Sequence, residues 1–369
     1  YFERFVTARD HWLPPDNVQE APEPAIAHRT SPTNIGMGLL STLAAHDLGY
    51  LGTGQLADRI ESTLTTVEAL ERHEGHLLNW YDTESLAPLA PRYVSTVDSG
   101  NLAGALMALS AGLRELGSGS GAGDEERGCA GAADTAGVLA EMLQSLARRA
   151  HAATPLRASC SLAQNELDAL RATLGAGGPA STRLEAASRR AGDQRAALGQ
   201  VSSSAPPSPQ AEAVVEWGRA LDEALVTAPA HAARPEALQV RLHDLARRCD
   251  GLADAMGWKF LYDRARGVFS IGFRLADAEG PGRLDASYYD LLASEARLAS
   301  FIAIARGEVP QEHWFRLSRA LVSVEGCTTL VSWSGSMFEY LMPLLMLRSH
   351  PETLLENTCR AAVRAQILY

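Results

Sequence analysis

One carboxylate of this sequence lies inside an apolar stretch, shortly after a pair of tyrosines. The stretch reads DASYYDLLASEARLASF, and it carries Glu295 after Tyr288, Tyr289 and Asp290. The pattern predicts a turn followed by an apolar helix that contains Glu295. A carboxylate in such a setting is either a paired core charge or a group that faces a cavity where chemistry takes place.

Three further clusters mix aromatic, carboxylate and amide side chains at the mouths of predicted helices. They read AHRTSPTNIG, NWYDTESLAPLAPRYVSTVDSGNLAG and LVSWSGSMFEYLMP. Aromatic faces stack on sugar rings, and charged or amide groups hydrogen-bond sugar hydroxyls. The clusters therefore predict a carbohydrate cleft whose carboxylates suit a glycosidase. The candidate substrate-binding residues are His28, Arg29, Asn34, Asn79, Trp80, Tyr81, Asp82, Asp98, Asn101, Tyr288, Tyr289, Asp290, Trp333, Ser334 and Glu339.

Purely structural roles remain open for several of these side chains. Ser99 and Asn101 could cap the helix that follows Asp98. The indoles of Trp80 and Trp333 could be core groups rather than sugar platforms.

Two acidic residues and one histidine also have structural alternatives. Glu339 could be a buried carboxylate held by an arginine such as Arg297. His28 is more typical of a structural hydrogen-bonding group than of a base, since no serine–histidine–acid arrangement is visible. On a helix, Asp290 and Glu295 would lie about 140° apart, so Asp290 is expected to orient substrate or to cap the helix.

Composition excludes several functional classes. The chain has 369 residues, 46% of them hydrophobic, and a formal net charge of −11. A large core is therefore possible, and a basic nucleic-acid-binding surface is not expected. The five cysteines are widely spaced without a ligand pattern, so we expect no metal or cofactor and infer a reducing compartment. No apolar run reaches membrane-spanning length, so this segment is not expected to insert directly.

The element pattern predicts an all-α fold with small β-hairpins. Residues 1–116 alternate helices with polar loops, whereas the Ala-, Arg- and Ser-rich segment 117–250 is interpreted as helical scaffold, with an interaction module as the alternative. Residues 251–369 begin with a hairpin around RARG, and VEGCTTLVSWSG predicts a second hairpin or an extended loop. Further helices are predicted at 285–306, 310–323, 334–348 and 351–368. The chain starts without methionine and ends within an amphipathic helix, so we expect it to be part of a longer protein.

Long segments of the sequence resemble a known family. They are DHWLPPDNVQE, HRTSPTNIGMGLLSTLAAHDLGY, GHLLNWYDTESLAPLAPRYVSTVDSGNLAG, YYDLLASEARLASFIAIARGEVP, HWFRLSRAL and SWSGSMFEYLMPLLML. Together they resemble the middle, glucoamylase-like domain of bacterial cyclic β-1,2-glucan synthases. The resemblance covers roughly 1–116 and 252–369, and 117–250 carries no matching motif. It implies an (α/α)6 toroid, here expected to be incomplete at the C-terminus, in which these two ranges pack together around one cleft.

The resemblance also implies a reaction. Such a domain closes linear β-1,2-glucan into a ring by retaining transglycosylation, at the cytoplasmic face of the bacterial inner membrane, beside the other domains of the same synthase chain. The matching motif gives Glu295 the role of nucleophile. The family's general acid follows the helix that matches AAVRAQILY, so this chain alone is expected to bind glucan weakly and to turn it over poorly. The alternatives are an endo-β-1,2-glucanase of the same fold and a non-catalytic glucan-binding module.

Overall fold

The chain forms two compact units in a computed structural model that describes all residues except 120, 122, 151–153, 228–234, 279 and 325. The first unit contains residues 1–41, 59–114 and 244–369, and the second contains 42–58 and 115–243. The α-helices are α1 (Phe2–Phe5), α2 (Pro32–Asp47), α3 (Thr53–Ala69), α4 (Thr96–Ser118), α5 (Asp124–Arg149), α6 (Pro155–Leu174), α7 (Ala180–Ser204), α8 (Pro209–Thr227), α9 (Glu236–Asp254), α10 (Arg297–Ala305), α11 (Glu312–Arg316), α12 (Met337–Leu341) and α13 (Leu354–Leu368).

Short antiparallel strands lie in the segments that connect the helices of the first unit. They are β1 (Val18–Gln19), β2 (Ala25–Ile26), β3 (Arg29–Thr30), β4 (Arg72–His73), β5 (His76–Leu77), β6 (Tyr81–Asp82), β7 (Tyr93–Ser95), β8 (Tyr262–Asp263), β9 (Val268–Ser270), β10 (Gly272–Arg274), β11 (Arg283–Leu284), β12 (Tyr288–Tyr289), β13 (Leu321–Val324) and β14 (Cys327–Leu330). The three-stranded sheets have the orders β11-β10-β7 and β12-β9-β8, and the other strands form pairs.

Helices α5 to α8 pack around the core of the second unit. Leucines and alanines recur at helical spacing, and their buried faces meet in one cluster that includes Leu139, Leu143, Leu167, Leu184 and Leu221. Alanines on the same faces allow the helices to approach closely, because their side chains end at the Cβ atom. The predicted packing of small-residue helices in this region is confirmed.

Glycines of α2 and α4 bring three helices of the first unit into close contact. A methyl group on Gly100 would lie 2.7 Å from the Cβ atom and 2.8 Å from the backbone nitrogen of Ala299 in α10. On α2, a methyl group on Gly36 would lie 3.0 Å from the Cβ atom of Ala105. Backbones can approach this closely only where no side chain stands between them. The contact between Gly100 and Ala299 joins the ranges 1–116 and 252–369, which belong largely to one compact unit, so their predicted packing is confirmed.

The predicted helix at 285–306 is wrong over its first half. Tyr288 and Tyr289 form β12, which pairs with Ser270 and Phe269 of β9. The chain then turns, and the helix begins only at Arg297. The cause is a long-range strand pairing, which the local apolar pattern does not contain.

Two other predicted helices are also shorter than expected. The range 310–323 holds only the five residues of α11 before the chain enters β13, and 334–348 holds α12 followed by a 3₁₀ turn at Met342–Leu345. The hairpin around RARG is confirmed by β8 and β9, and the second hairpin by β13 and β14. Helix α13 confirms the prediction at 351–368.

Candidate active site

Glu295 lies in the turn between β12 and α10, where the side chain of Asn101 reaches it. The Asn101 amide nitrogen donates to Glu295 Oε2 at 3.2 Å and to the Thr33 hydroxyl at 3.0 Å. Asn101 lies inside α4, so the capping alternative for Ser99 and Asn101 is wrong. The cap is Ser95, whose hydroxyl accepts from the backbone N–H of Asp98 at 3.2 Å. The close contact at Gly100 thus holds the neighbouring Asn101 against the Glu295 turn.

The electrostatic surroundings of Glu295 favour its neutral form. Burial raises the pKa of Glu295 to about 7, and the carboxylates of Asp98 and Glu339 add to this effect. The Asn101 amide and the Arg297 guanidinium oppose it. Burial also raises the pKa of the Tyr289 phenol, with contributions from Glu295 and Asp98. Glu295 therefore changes its charge near neutral pH, which is a common property of catalytic carboxyl groups.

Glu339 is a fixed anion held by its own turn. Its carboxylate accepts from the hydroxyl of Ser332 at 3.1 Å and from the hydroxyl of Ser334 at 2.6 Å. Backbone N–H groups of Trp333, Ser334 and Ser336 also donate to it. Burial disfavours the charge of Glu339, but these donors outweigh burial and lower its pKa.

The predicted ion pair between Glu339 and Arg297 is wrong. Arg297 donates instead to the backbone oxygens of Ser294, Glu339 and Tyr340. Glu339 is satisfied by a capping box, in which Ser336 and Glu339 exchange hydrogen bonds at the start of α12. The hydroxyl of Ser334 likewise donates to Glu339, but Ser334 is exposed, so its role as a sugar ligand stays a prediction.

A groove of about 590 Å³ lies beside the turn that holds Glu339, where Trp333 lines it. The other lining residues include Tyr288, Asp290, Arg266 and Arg316. Trp333 is 58% exposed, so the core alternative for it is wrong. Asp290 is exposed and lies well before the first residue of α10, so it does not cap that helix. An exposed indole next to carboxylate and guanidinium groups can stack on a sugar and bind its hydroxyls.

Tyr288 is less free than the sequence suggested. Its hydroxyl donates to Asp263 Oδ2 at 2.9 Å, and the Arg266 guanidinium carbon lies 4.3 Å from the ring centroid. One face of the ring is therefore occupied by a cation. Tyr288 contributes a wall of the groove rather than an open stacking platform.

The cluster nearest the N-terminus is organised by two aspartates. His28 Nδ1 lies 2.7 Å from Asp10 Oδ1, which fits the structural alternative for His28, and its substrate-binding role stays a prediction. Arg29 and Asn34 both donate to Asp16, at 3.0 and 3.2 Å. The predicted substrate-binding roles of Arg29 and Asn34 stay predictions, because each has a partner within the protein and retains some exposure.

Trp80 of the same region is partly exposed and contacts Arg29. The guanidinium carbon of Arg29 lies 4.9 Å from the centroid of the Trp80 ring. Trp80 is therefore not a fully buried core residue. Arg29 also donates to Asp16, so the Asp16 carboxylate, the Arg29 guanidinium and the Trp80 indole lie side by side on one surface.

Tyr81 is structural, whereas Asp82 has partners in its own turn and its substrate-binding role stays a prediction. Tyr81 is fully buried; its hydroxyl accepts from the Leu78 N–H and donates to the Glu71 carbonyl. Its assignment to substrate is corrected, since a ligand cannot reach it. Asp82 Oδ1 accepts from the N–H and hydroxyl of Ser85, and these donors lower the pKa of Asp82. That pattern is an aspartate turn, which the short spacing to Ser85 could have revealed.

Two amide oxygens of the candidate set are buried without a hydrogen-bonding partner among the residues that the structure describes. They belong to Asn79 and Asn101. Such acceptors are costly when left dry, so they mark positions that favour an incoming donor. Sequence reasoning missed the hydrogen bond between Asn101 and Thr33 and the contacts of Arg297 with backbone carbonyls, because these partners carry no local signal of them.

Metal and membrane features can be assessed over the same parts of the chain. No group of three or more His, Cys, Asp or Glu side chains there could hold a metal ion. The cysteines are free. None of the helices that the structure describes is both long and apolar enough to cross a membrane.

Comparisons with known proteins find one similar sequence and one similar fold. No family model matches the chain. It is 40% identical over 378 aligned positions to the cyclic β-(1,2)-glucan synthase NdvB of Rhizobium meliloti (strain 1021); the match covers all of this chain and 13% of the synthase. A crystal structure of a candidate glucoamylase from Bacteroides fragilis matches with a TM-score of 0.50 and 12% identity, over 99% of this chain and 62% of that one.

The structural match concerns the fold alone, and it confirms the predicted all-α, glucoamylase-like fold class. The sequence match relates the chain to the Rhizobium synthase. The chain spans only about an eighth of the length of that relative. The chain is thus similar, from end to end, to one segment of a cyclic β-(1,2)-glucan synthase, and its fold is glucoamylase-like.

Proposed function

We propose that this chain is the cyclisation domain of a cyclic β-1,2-glucan synthase, which closes a linear glucan by retaining transglycosylation. The observation that supports this most strongly is the 40% identity to one such synthase across the whole chain. Linear β-1,2-glucan is the proposed substrate, and the other domains of a larger synthase are the proposed partners. We place that synthase in the bacterial inner membrane, with this segment on its cytoplasmic side.

Glu295 is the proposed nucleophile. It attacks the anomeric carbon, the glycosidic bond to the leaving oxygen breaks, and a glycosyl ester forms on Glu295. A hydroxyl at the far end of the same glucan then attacks this ester, which closes the ring and frees the carboxylate. The Asn101 amide supports the role because it donates to the ionised form of Glu295.

A second carboxyl group must protonate the leaving oxygen and later accept the proton of the attacking hydroxyl. Glu339 does not suit this role, since its oxygens are occupied by donors of its own turn. We propose that the acid belongs to a segment that follows α13 in the longer synthase, as the family resemblance implies. Efficient turnover of an unactivated substrate then needs both that acid and the residues that bind glucan here.

Product analysis with two donors tests the proposal. An activated donor, β-sophorosyl fluoride, needs no acid for departure of fluoride, so the chain itself should release fluoride at a rate that depends on Glu295. The longer synthase should convert linear β-1,2-glucan to rings, detected by mass spectrometry as products lacking one water. Short linear products would instead identify an endo-glucanase, and binding without release of fluoride would identify a glucan-holding module.

A further inference from the structure

A buried guanidinium connects the turn of Glu295 to the turn of Glu339. Arg297 is 3% exposed. Its Nη1 donates to the carbonyl oxygens of Ser294 and Glu339, each at 2.8 Å, and its Nη2 donates to the carbonyl of Tyr340 at 2.6 Å. One side chain thus crosslinks two segments of the chain, since Arg297 and Glu339 are 42 positions apart in the sequence.

The charge of this guanidinium has no carboxylate bound to it. All three acceptors are neutral backbone oxygens, and Arg297 forms no ion pair with any residue that the structure describes. A buried cation without an ionic partner is costly unless a negative charge lies nearby. Glu295, two positions earlier in the chain, is the nearby acid whose charge it favours.

We propose that Arg297 is a positioning residue: it fixes the Glu295 turn against the α12 turn, and its charge favours the ionised carboxylate of Glu295. The inference deepens the proposed function, because an ionised Glu295 is the form that can attack a sugar. The three carbonyl contacts explain why arginine is needed here, since its planar fork can donate to several acceptors at once.

The other titratable groups around the two residues come from four elements. Asp98 on α4 and Glu339 on α12 oppose the ionisation of Glu295 through their negative charges. The Tyr289 phenol on β12 stays neutral in the range where Glu295 titrates, because burial raises its pKa. Cys359 on α13 shares the Tyr340 carbonyl with Arg297, since its thiol donates to that oxygen at 3.2 Å. Among the groups that act on the charge of Glu295, Arg297 is thus the cation, set against two carboxylates.

Titration of the Glu295 carboxyl carbon by NMR tests this without any need for turnover. Signals from protein labelled with carboxyl-¹³C glutamate are assigned by the disappearance of one resonance in the Glu295→Gln variant. The Arg297→Gln variant keeps the two N–H donors of an amide group but carries no charge. Its Glu295 midpoint should move upward by roughly one pH unit, the size expected for loss of a nearby charge in a partly buried site. The matched Arg297→Lys variant keeps the charge and should keep the midpoint near that of the native chain.

An unchanged midpoint in folded Arg297→Gln protein, or equal shifts in both variants, would overturn the role of the charge. If neither variant folds, the native protein decides the question. The side-chain ¹⁵N signals of Arg297 should then titrate with the same midpoint as the Glu295 carboxyl, and a flat ¹⁵N profile would contradict the inference. Because no turnover is measured, the inference stands or falls separately from the proposed reaction.

Discussion

At the scale of single residues, two glutamates with similar sequence contexts have opposite environments. Both follow aromatic residues in apolar stretches, yet Glu295 receives one amide donor whereas Glu339 receives several hydroxyl and backbone donors. The first is therefore held near its neutral form and the second is held as an anion. Glu295 has oxygen lone pairs that accept no hydrogen bond from the residues that the structure describes, so it can take part in a reaction, whereas the oxygens of Glu339 are occupied by donors of its own turn.

Replacement of Glu295 should remove the reaction and leave the fold. In Glu295→Gln, release of fluoride from β-sophorosyl fluoride should fall by about 10³-fold or more, since the amide cannot form the glycosyl ester. Added azide should restore release and give the α-glycosyl azide, because it attacks from the face that the carboxylate occupied. The matched Glu339→Gln variant should instead lower the melting temperature, because the amide cannot accept from all the donors of the turn. Rescue by azide of Glu339→Gln in place of Glu295→Gln would reverse the two roles.

The pH dependence should separate a nucleophile from an acid at position 295. Burial raises the pKa of Glu295 to about 7, so its ionised fraction increases as the pH rises through that value. A nucleophile acts in the ionised form, so release of fluoride should rise with pH and reach half its maximum near pH 7. The Asn101→Leu variant loses the donor to the carboxylate and should move this midpoint upward. A rate that falls through the same range would show that the protonated form is active and that Glu295 is the acid.

At the scale of elements, the position of Glu295 depends on how closely α4 approaches α10. Gly100 lies against the backbone of Ala299, and its neighbour Asn101 reaches Glu295. In Gly100→Ala the added methyl group has no room, so the helices must separate, at a cost of about 1–3 kcal/mol. The hydrogen bond from the Asn101 amide to Glu295 should weaken at the same time.

Chemical denaturation and the carboxyl titration together measure this effect. Gly100→Ala should lower the denaturation midpoint and raise the titration midpoint of Glu295. The control is Gly192→Ala on α7, where an added methyl group meets no atom within 4 Å. That change should be neutral or stabilising by roughly 0.5–1 kcal/mol, because alanine suits a helix interior better than glycine. Equal effects of the two substitutions would contradict the role of the close contact.

The sequence predicted well those elements whose signals are local. The hairpins around RARG and VEGC, the amphipathic α13 and the leucine faces of α5 to α8 all follow from spacing within one segment. It failed where a distant partner decides the structure. The apolar residues before Glu295 have a helical pattern, but pairing of Tyr288 and Tyr289 with β9 makes them extended. The donors to Glu339 could have been foreseen from the Ser336-x-x-Glu339 spacing of a capping box.

The same distinction applies to the candidate site. Glu295 and Asn101 were both singled out from the sequence, but their hydrogen bond joins positions 194 residues apart and depends on packing at Gly100. Tyr81 was misassigned because the sequence around it has the aromatic and polar composition of a sugar site. In the structure its hydroxyl forms hydrogen bonds with the backbone of Leu78 and Glu71. Burial is a property of the folded chain, so residue type alone could not separate Tyr81 from Trp333.

At the scale of the whole molecule, ligand binding should be visible as thermal stabilisation. A ligand that binds only the folded state adds about 2.7 kcal/mol of stability at a concentration of 100 times its Kd. Linear β-1,2-glucan should therefore raise the melting temperature, whereas β-1,3-glucan of the same length should not. Trp333→Ala should reduce the rise, because that indole is exposed in the groove of the first unit. Equal shifts with both glucans would contradict selective recognition.

The uneven exposure of the indoles gives the chain an optical signal of its own. Of its six tryptophans, Trp258 is fully buried, whereas Trp333 is 58% exposed beside the groove. Light emitted by a solvated indole is shifted to longer wavelengths and is quenched by acrylamide, and a sugar ring stacked on Trp333 would shield it from both effects. Emission at the red edge of the spectrum should therefore follow occupancy of the groove in real time, with Trp258 as an internal reference that does not change.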